Sequence, residues 1–290
     1  MVCFGEGYEG MIQGNMKELK SHDVSNILQM GGTLLKSARS ERFRTKEGRA
    51  EAYKQLKKQD IDGVVAIGGD GTFTGASVFM SEYNDVAFIG APGTIDNDLF
   101  GTDFTIGYDT AINTAMDAID KIKDTASAHN RLFFIEVMGR DAGFIALRTG
   151  IATGAEAVLV PESKTNIDEL ADLLRTYQSN KKTSSIVIVA EGDDEGGAFD
   201  IANKVKPHFD GYDTRVSILG HMQRGGRPTC MDRVLASRLG MSAVENLLEG
   251  KSGFMVGQIH NDIVLTPFEQ AIKHHQRINP ALLRIVEVLS

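Results

Sequence analysis

Short apolar runs, rich in β-branched residues, recur along the chain and alternate with amphipathic stretches. The runs are "GVVAIGG" (63–69), "VAFIGA" (86–91), "RLFFIEVMG" (131–139), "EAVLVPE" (156–162), "SSIVIVAEG" (184–192) and "TRVSILGH" (214–221). Most are apolar on both faces, which is the pattern of parallel strands covered by helices on either side. Helical patterning falls at 47–58, 74–82, 108–128, 142–152, 166–178, 197–208 and 231–249. This βαβ rhythm predicts an α/β fold. The count of strands and covering helices exceeds one compact unit and predicts two doubly wound, mostly parallel-sheet (Rossmann-like) domains. No repeat or low-complexity linker separates them, so ordered chain crosses the boundary. In such sheets ligands bind beyond the carboxyl ends of the strands, which makes the residues just after each apolar run the candidates for chemistry.

Composition narrows the partners. With 290 residues and 42% hydrophobic content the chain can bury real cores. Its net charge is −8, and the 31 Lys and Arg are scattered among 39 acids, which argues against nucleic acid as a partner and means that an anionic ligand must be met by a local basic cluster. Cys3 and Cys230 are too few for a disulfide framework or a cysteine metal site, so a cytoplasmic, reduced setting is expected. No apolar run has the length of a membrane span, and no membrane partner is expected.

Three groups of residues carry candidate chemistry. In "IGGDGTFTGA" (67–76), glycines follow a strand and precede a helix, so backbone N–H groups can approach a phosphate chain. Asp70 repels phosphate unless Mg²⁺ bridges the two; a tight turn with Asp70 capping the next helix is the alternative reading. The second group, "APGTIDNDLFGTDFTIGYDTA" (91–111), gathers Asp96, Asp98, Asp103 and Asp109 with almost no base nearby; Asp103 and Asp109 read as turn and cap residues. The third is a scatter of Arg131, Arg140, Arg215, His221 and Arg224 at or beside strand ends, where an anion would be gripped.

"PGTIDND" followed by "GTDFTIGYDTA", with GGDGT upstream, resembles the signature of the 6-phosphofructokinases. NAD kinases and diacylglycerol kinases share a similar GGDGT but not the other motifs. The resemblance extends through "GYEG" (7–10), "GGTLLKSAR" (31–39), "EVMGRDAG" (136–143), "AEG" (190–192) and "LGHMQRGGRPTCMDR" (219–233). It implies phosphoryl transfer from ATP, with Mg²⁺, to fructose 6-phosphate. It divides the chain into a nucleotide domain, 1–107 plus about 223–272, and a sugar-phosphate domain, 108–222 plus about 273–290.

The resemblance also assigns roles. Asp96 is the general base for the sugar 1-hydroxyl, with Thr94 beside it and Asp98 near the metal and the transferring phosphate. Arg140 faces that phosphate and the sugar. Met138, Gly139 and Glu191 contact the sugar, and His221 and Arg224 hold its 6-phosphate. Arg131 and Arg215 reach the 6-phosphate of a neighbouring subunit, which implies a homotetramer with shared sites. Arg39, Phe43, Arg44, Gly69, Asp70, Gly71, Thr72 and Gly75 fall on the nucleotide side, with Asp70 as metal ligand; for Phe43 a core position is the equal alternative. Glu156, Lys123 and Lys182 match an allosteric effector site, with solvated surface charge as the equal alternative for the two lysines. Glycine at 71 and 93, where pyrophosphate-using members tend to carry an acid and a lysine, favours ATP as donor. Relatives open with a strand and a "GGDxPGxN" loop before the stretch that Val2 to Gly10 resembles, so roughly 30 residues, about one βαβ unit, are expected to be lacking here. That expectation carries an alternative, a truncated and catalytically weak or inactive sugar-phosphate-binding subunit.

Overall fold

The computed structural model describes residues 1–126, 131–179, 184–209, 211–274 and 276–289. In chain order the elements are β1 (Val2–Phe4), α1 (Gly7–Gln13), β2 (Met16–Glu18), α2 (Lys46–Lys58), β3 (Gly63–Gly68), α3 (Asp70–Glu82), β4 (Ala87–Pro92) and α4 (Tyr108–Ala126). There follow β5 (Arg131–Val137), α5 (Phe144–Thr153), β6 (Ala157–Leu159), α6 (Ile167–Ser179), β7 (Ser184–Ala190), α7 (Ala198–Val205) and β8 (Asp213–Ile218). The chain continues with α8 (Cys230–Leu248), β9 (Phe254–Ile259), β10 (Asp262–Pro267), α9 (Phe268–Lys273) and α10 (Pro280–Leu289). Two compact units result: Met1–Thr94, Leu99–Ile106 and Arg227–His275 form one, and Ile95–Asp98, Gly107–Gly226 and Gln276–Ser290 form the other.

The first unit is built on a sheet of order β10-β9-β4-β3. β3, β4 and β9 are parallel, while β9 and β10 form an antiparallel hairpin. That hairpin and a small antiparallel pair, β1 with β2, were not expected from the sequence. β4 alternates between two cores. Phe88 packs with Phe73, Phe79 and Phe268 on one face, and Ile89 packs with Leu235, Leu239 and Val256 on the other. Each such buried side chain contributes roughly 1.5–3 kcal/mol, which is why a run apolar on both faces makes an interior strand. Helix α3 starts at Asp70, four residues before the start that patterning predicts, so the glycine motif is itself the first turn of the helix.

The second unit carries an all-parallel sheet of order β6-β7-β5-β8. Leu132, Phe134, Val187 and Val189 face a core closed by α6 and α7 through Leu170, Leu174, Ile201 and Val205. Phe133, Ile135, Ile186 and Ile188 are also buried, as both-face apolarity requires. With β7 and β8 flanking β5, the residues leaving these three strands emerge together at one end of the sheet.

Candidate active site

In the second unit, β5 runs out into Met138, Gly139 and Arg140, β7 into Glu191, and β8 into a short 3₁₀ turn, Gly220–Arg224, that carries His221 and Arg224. The turn after β5 is held by side chains from the other two strand ends. Glu191 Oε1 accepts the Arg140 N–H at 2.7 Å and the Gly139 N–H at 3.3 Å. Gln223 Oε1 accepts the Met138 N–H at 2.9 Å, from a side chain only 1% exposed. Arg140 sits at φ 54°, a left-handed conformation unusual for arginine. Gly139 is required beside it, because a Cβ there would lie 2.3 Å from the Ala142 carbonyl oxygen. The backbone origin of the Arg140 side chain is therefore set by neighbours on separate strands, while its guanidinium stays exposed.

Asp96 belongs to the same unit and is 8% exposed. Its pKa is raised above the ordinary carboxylate value, first by burial and then by the adjacent Asp98 charge, with a smaller push from Glu191; Arg140 and Arg224 act in the opposite direction. A carboxylate poised in this way can accept a proton more readily than a solvated one. Asn97, between the two acids, is 2% exposed and left-handed at φ 55°.

In the first unit, Gly69 precedes α3, and a Cβ on it would lie 3.5 Å from Thr94 Cβ, so Thr94 stands beside the glycine turn. Asp70 Oδ1 is buried without a hydrogen-bond partner. The space around a Cβ at Gly71 is open, whereas at Gly93 it would meet Ile67 Cγ2 at 3.0 Å. Thr72 accepts the Tyr8 hydroxyl hydrogen bond at its carbonyl, at 2.6 Å. Phe43 is buried in the core, stacked on Tyr8 at 3.9 Å between ring centroids and at 5.9 Å from Phe79. Gly75 is closed over by the same pair, with Tyr8 Cε2 2.9 Å and Phe43 Cε1 3.3 Å from where its Cβ would be. Arg39 and Arg44 are exposed, and Arg44 makes a 3.6 Å ion pair to Glu41.

Some expected residues lie away from the Asp96 cluster. Arg131 opens β5 opposite Asp213, and Arg215 lies two positions further along β8, opposite Phe133, so both sit at the amino halves of these strands, opposite the end that carries Arg140 and Arg224. Both lean on Asp213, at 3.6 Å and 2.7 Å. Lys123 Nζ donates to the Thr153 carbonyl at 2.6 Å and so caps the end of α5. Glu156 is buried and its Oε2 accepts the Ile186 N–H at 2.5 Å. Lys123 is exposed apart from this bond, whereas Glu156 lies in the interior. Lys182 lies outside the described residues. Gln223 and Gln276 were missed by sequence reasoning. The only local hint for Gln223 was its place between His221 and Arg224 in "GHMQRGG".

A family model described as phosphofructokinase matches residues 1–247. The chain is 53% identical over 284 residues to "ATP-dependent 6-phosphofructokinase 2" of Bacteroides thetaiotaomicron, covering 98% of this chain and 87% of the relative. It is 54% identical to "ATP-dependent 6-phosphofructokinase 1" of Thermus thermophilus, covering 100% of this chain and 89% of the relative. Among solved structures, phosphofructokinase from Saccharomyces cerevisiae superposes with a TM-score of 0.88 at 34% identity over 94% of this chain, which spans only 40% of the yeast chain. On the match to the family model and on these identities, the chain belongs to the phosphofructokinase family.

Proposed function

We propose that the chain transfers the γ-phosphoryl group of ATP to the 1-hydroxyl of fructose 6-phosphate, giving fructose 1,6-bisphosphate and ADP, a step of glycolysis. The observation that carries this is the buried Asp96 carboxylate with its raised pKa, set electrostatically against Arg140 and Arg224. Asp96 takes the proton of the 1-hydroxyl, the sugar oxygen forms a bond to the γ-phosphorus, and the bond from that phosphorus to the bridging oxygen breaks as ADP leaves. Arg140 offsets charge on the transferring group, as such reactions require. His221 and Arg224 grip the 6-phosphate, and Met138, Gly139 and Glu191 border the sugar, with Glu191 also fixing the Arg140 turn. Thr94 precedes the base by two positions, and Asp98, assigned near the metal and the transferring phosphate, raises the Asp96 pKa.

In this reading the first unit is the nucleotide domain and the second the sugar-phosphate domain. Gly69 and Gly71 offer backbone N–H groups to the phosphates with Thr72 beside them, and Arg39 and Arg44 supply positive charge. Asp70 would hold Mg²⁺: its Oδ1 is buried without a partner, and among the described residues no three metal-binding side chains gather, which suits an ion that takes most of its ligands from phosphate and water. When bound, Mg²⁺ neutralises charge on the leaving phosphate oxygens. ATP is the donor because Gly71 leaves open the space that an acid would fill. The test is donor choice: ADP should appear only when fructose 6-phosphate is added, and pyrophosphate should not replace ATP. Faster turnover with pyrophosphate would overturn this reading.

The homo-oligomer, a tetramer, belongs to the same proposal. Arg131 and Arg215, remote from Arg224 along their strands, complete the 6-phosphate site of a neighbouring copy. Inactive Arg215→Ala chains mixed with inactive Asp96→Ala chains should then regain part of the wild-type activity. Demonstrated subunit exchange with no recovery would rule out a shared site.

A further inference from the structure

The loop that carries Asp96 is secured from a segment beyond the family match, which ends at residue 247. Gln276 leads into α10, which packs on α5, and the intervening Ile278 is buried. The Gln276 main-chain N–H donates to the Asp98 carbonyl at 3.1 Å. Its side-chain Oε1 accepts from Asn97 Nδ2 at 3.3 Å. Asn97 is the strained member of the loop, since even for asparagine a left-handed backbone costs energy and persists only where the surroundings impose it. One residue thus engages both positions that follow the base.

We infer that Gln276 is a positioning residue for phosphoryl transfer, which clamps Asn97 and Asp98 and thereby keeps the Asp96 carboxylate in its buried place. The inference rests on the proposed function, because it takes Asp96 as the base. Without the side-chain bond, Asn97 can relax toward ordinary backbone angles and Asp96 turns toward water. The charged groups that face Asp96 are Asp98 on its own loop, Arg140 after β5, Glu191 after β7 and Arg224 in the 3₁₀ turn. A neutral substitution at 276 changes none of these charges, so any movement of the Asp96 titration reports a change in the carboxylate's surroundings.

The experiment is Gln276→Leu in the full chain, with the Asp96 carboxyl followed by ¹³C NMR against pH, assigned through Asp96→Asn, together with kcat and KM for fructose 6-phosphate. The Asp96 midpoint should fall below that of the wild type, because regained water favours the charged form. Turnover should drop roughly 10- to 100-fold, the scale of a misplaced reacting group, while KM for the sugar stays near the wild-type value. Gln276→Glu keeps the acceptor for Asn97; it should retain most of the turnover and, by adding negative charge, move the Asp96 midpoint upward. An unchanged midpoint and turnover in Gln276→Leu overturns the inference. So does a parallel loss of turnover, sugar binding and melting temperature, which marks a residue needed only for folding. A wild-type chain without any transfer would sink the proposed function by itself, and the NMR midpoint would still decide whether Gln276 governs the state of Asp96.

Discussion

Asp96→Ala is expected to lower kcat by about 10²- to 10⁴-fold, the range for loss of a general base, with little change in fructose 6-phosphate affinity. The base acts mainly while the proton is in flight, so its loss falls on the transition state and spares the ground state. In the proposed function the sugar phosphate is held by other side chains, those of His221 and Arg224 in the 3₁₀ turn after β8. Removing a buried carboxylate that is held partly against its preference for water should not weaken the fold, and the melting temperature should hold or rise. Steady-state kinetics alongside calorimetric titration of the sugar phosphate checks both halves. Near-normal turnover would remove Asp96 from its role.

Arg140→Ala is expected to cost about 10²- to 10³-fold in kcat, the scale for removing one preorganised group that stabilises developing charge. The preorganisation is visible in the turn: Glu191 takes two consecutive N–H groups, Gln223 takes a third, and Arg140 is fixed in a left-handed conformation. This substitution has a second signature. Arg140 lowers the Asp96 pKa, so its removal should push the acid limb of activity to higher pH, whereas losing Asp96 should abolish that limb. Arg140→Lys restores charge without the planar fork and should recover only part of the rate. Turnover in Arg140→Ala within a fewfold of wild type would show that the charge is supplied elsewhere.

Much of this was readable from residue order because it depends on local pattern. Runs such as 131–137 are apolar on both faces since both faces are covered, and β5, β7 and β8 lie where the runs lie. The density of acids at 96–109 marked the candidate loop, because charge of that kind gathers where something opposes it. The hairpin β9–β10 was obscured by Gly257, Gln258 and the left-handed His260 at its turn, which interrupt the apolar run. Gly257 is there for packing, since a Cβ on it would lie 2.1 Å from the Gly101 carbonyl oxygen. The packing partners of Phe43 were not legible, because its neighbours in sequence are arginines while its ring stacks on Tyr8, 35 positions earlier in the chain, and near Phe79. The residues that hold the site geometry were invisible for the same reason. Gln223 meets Met138 across 85 positions and Gln276 meets Asn97 across 179, and no periodicity encodes such pairs.

The dependence of kcat/KM for fructose 6-phosphate on pH, compared between wild type and Asp96→Asn, tests the account most directly, because this ratio reports ionisations of the free enzyme. Burial and Asp98 raise the Asp96 pKa, so the wild-type ratio should fall with decreasing pH along an acid limb whose midpoint lies above the ordinary carboxylate value. In Asp96→Asn the residual activity should have lost that limb. A limb of the same shape and midpoint in both proteins would assign the proton to another group and contradict the role of Asp96 as the base.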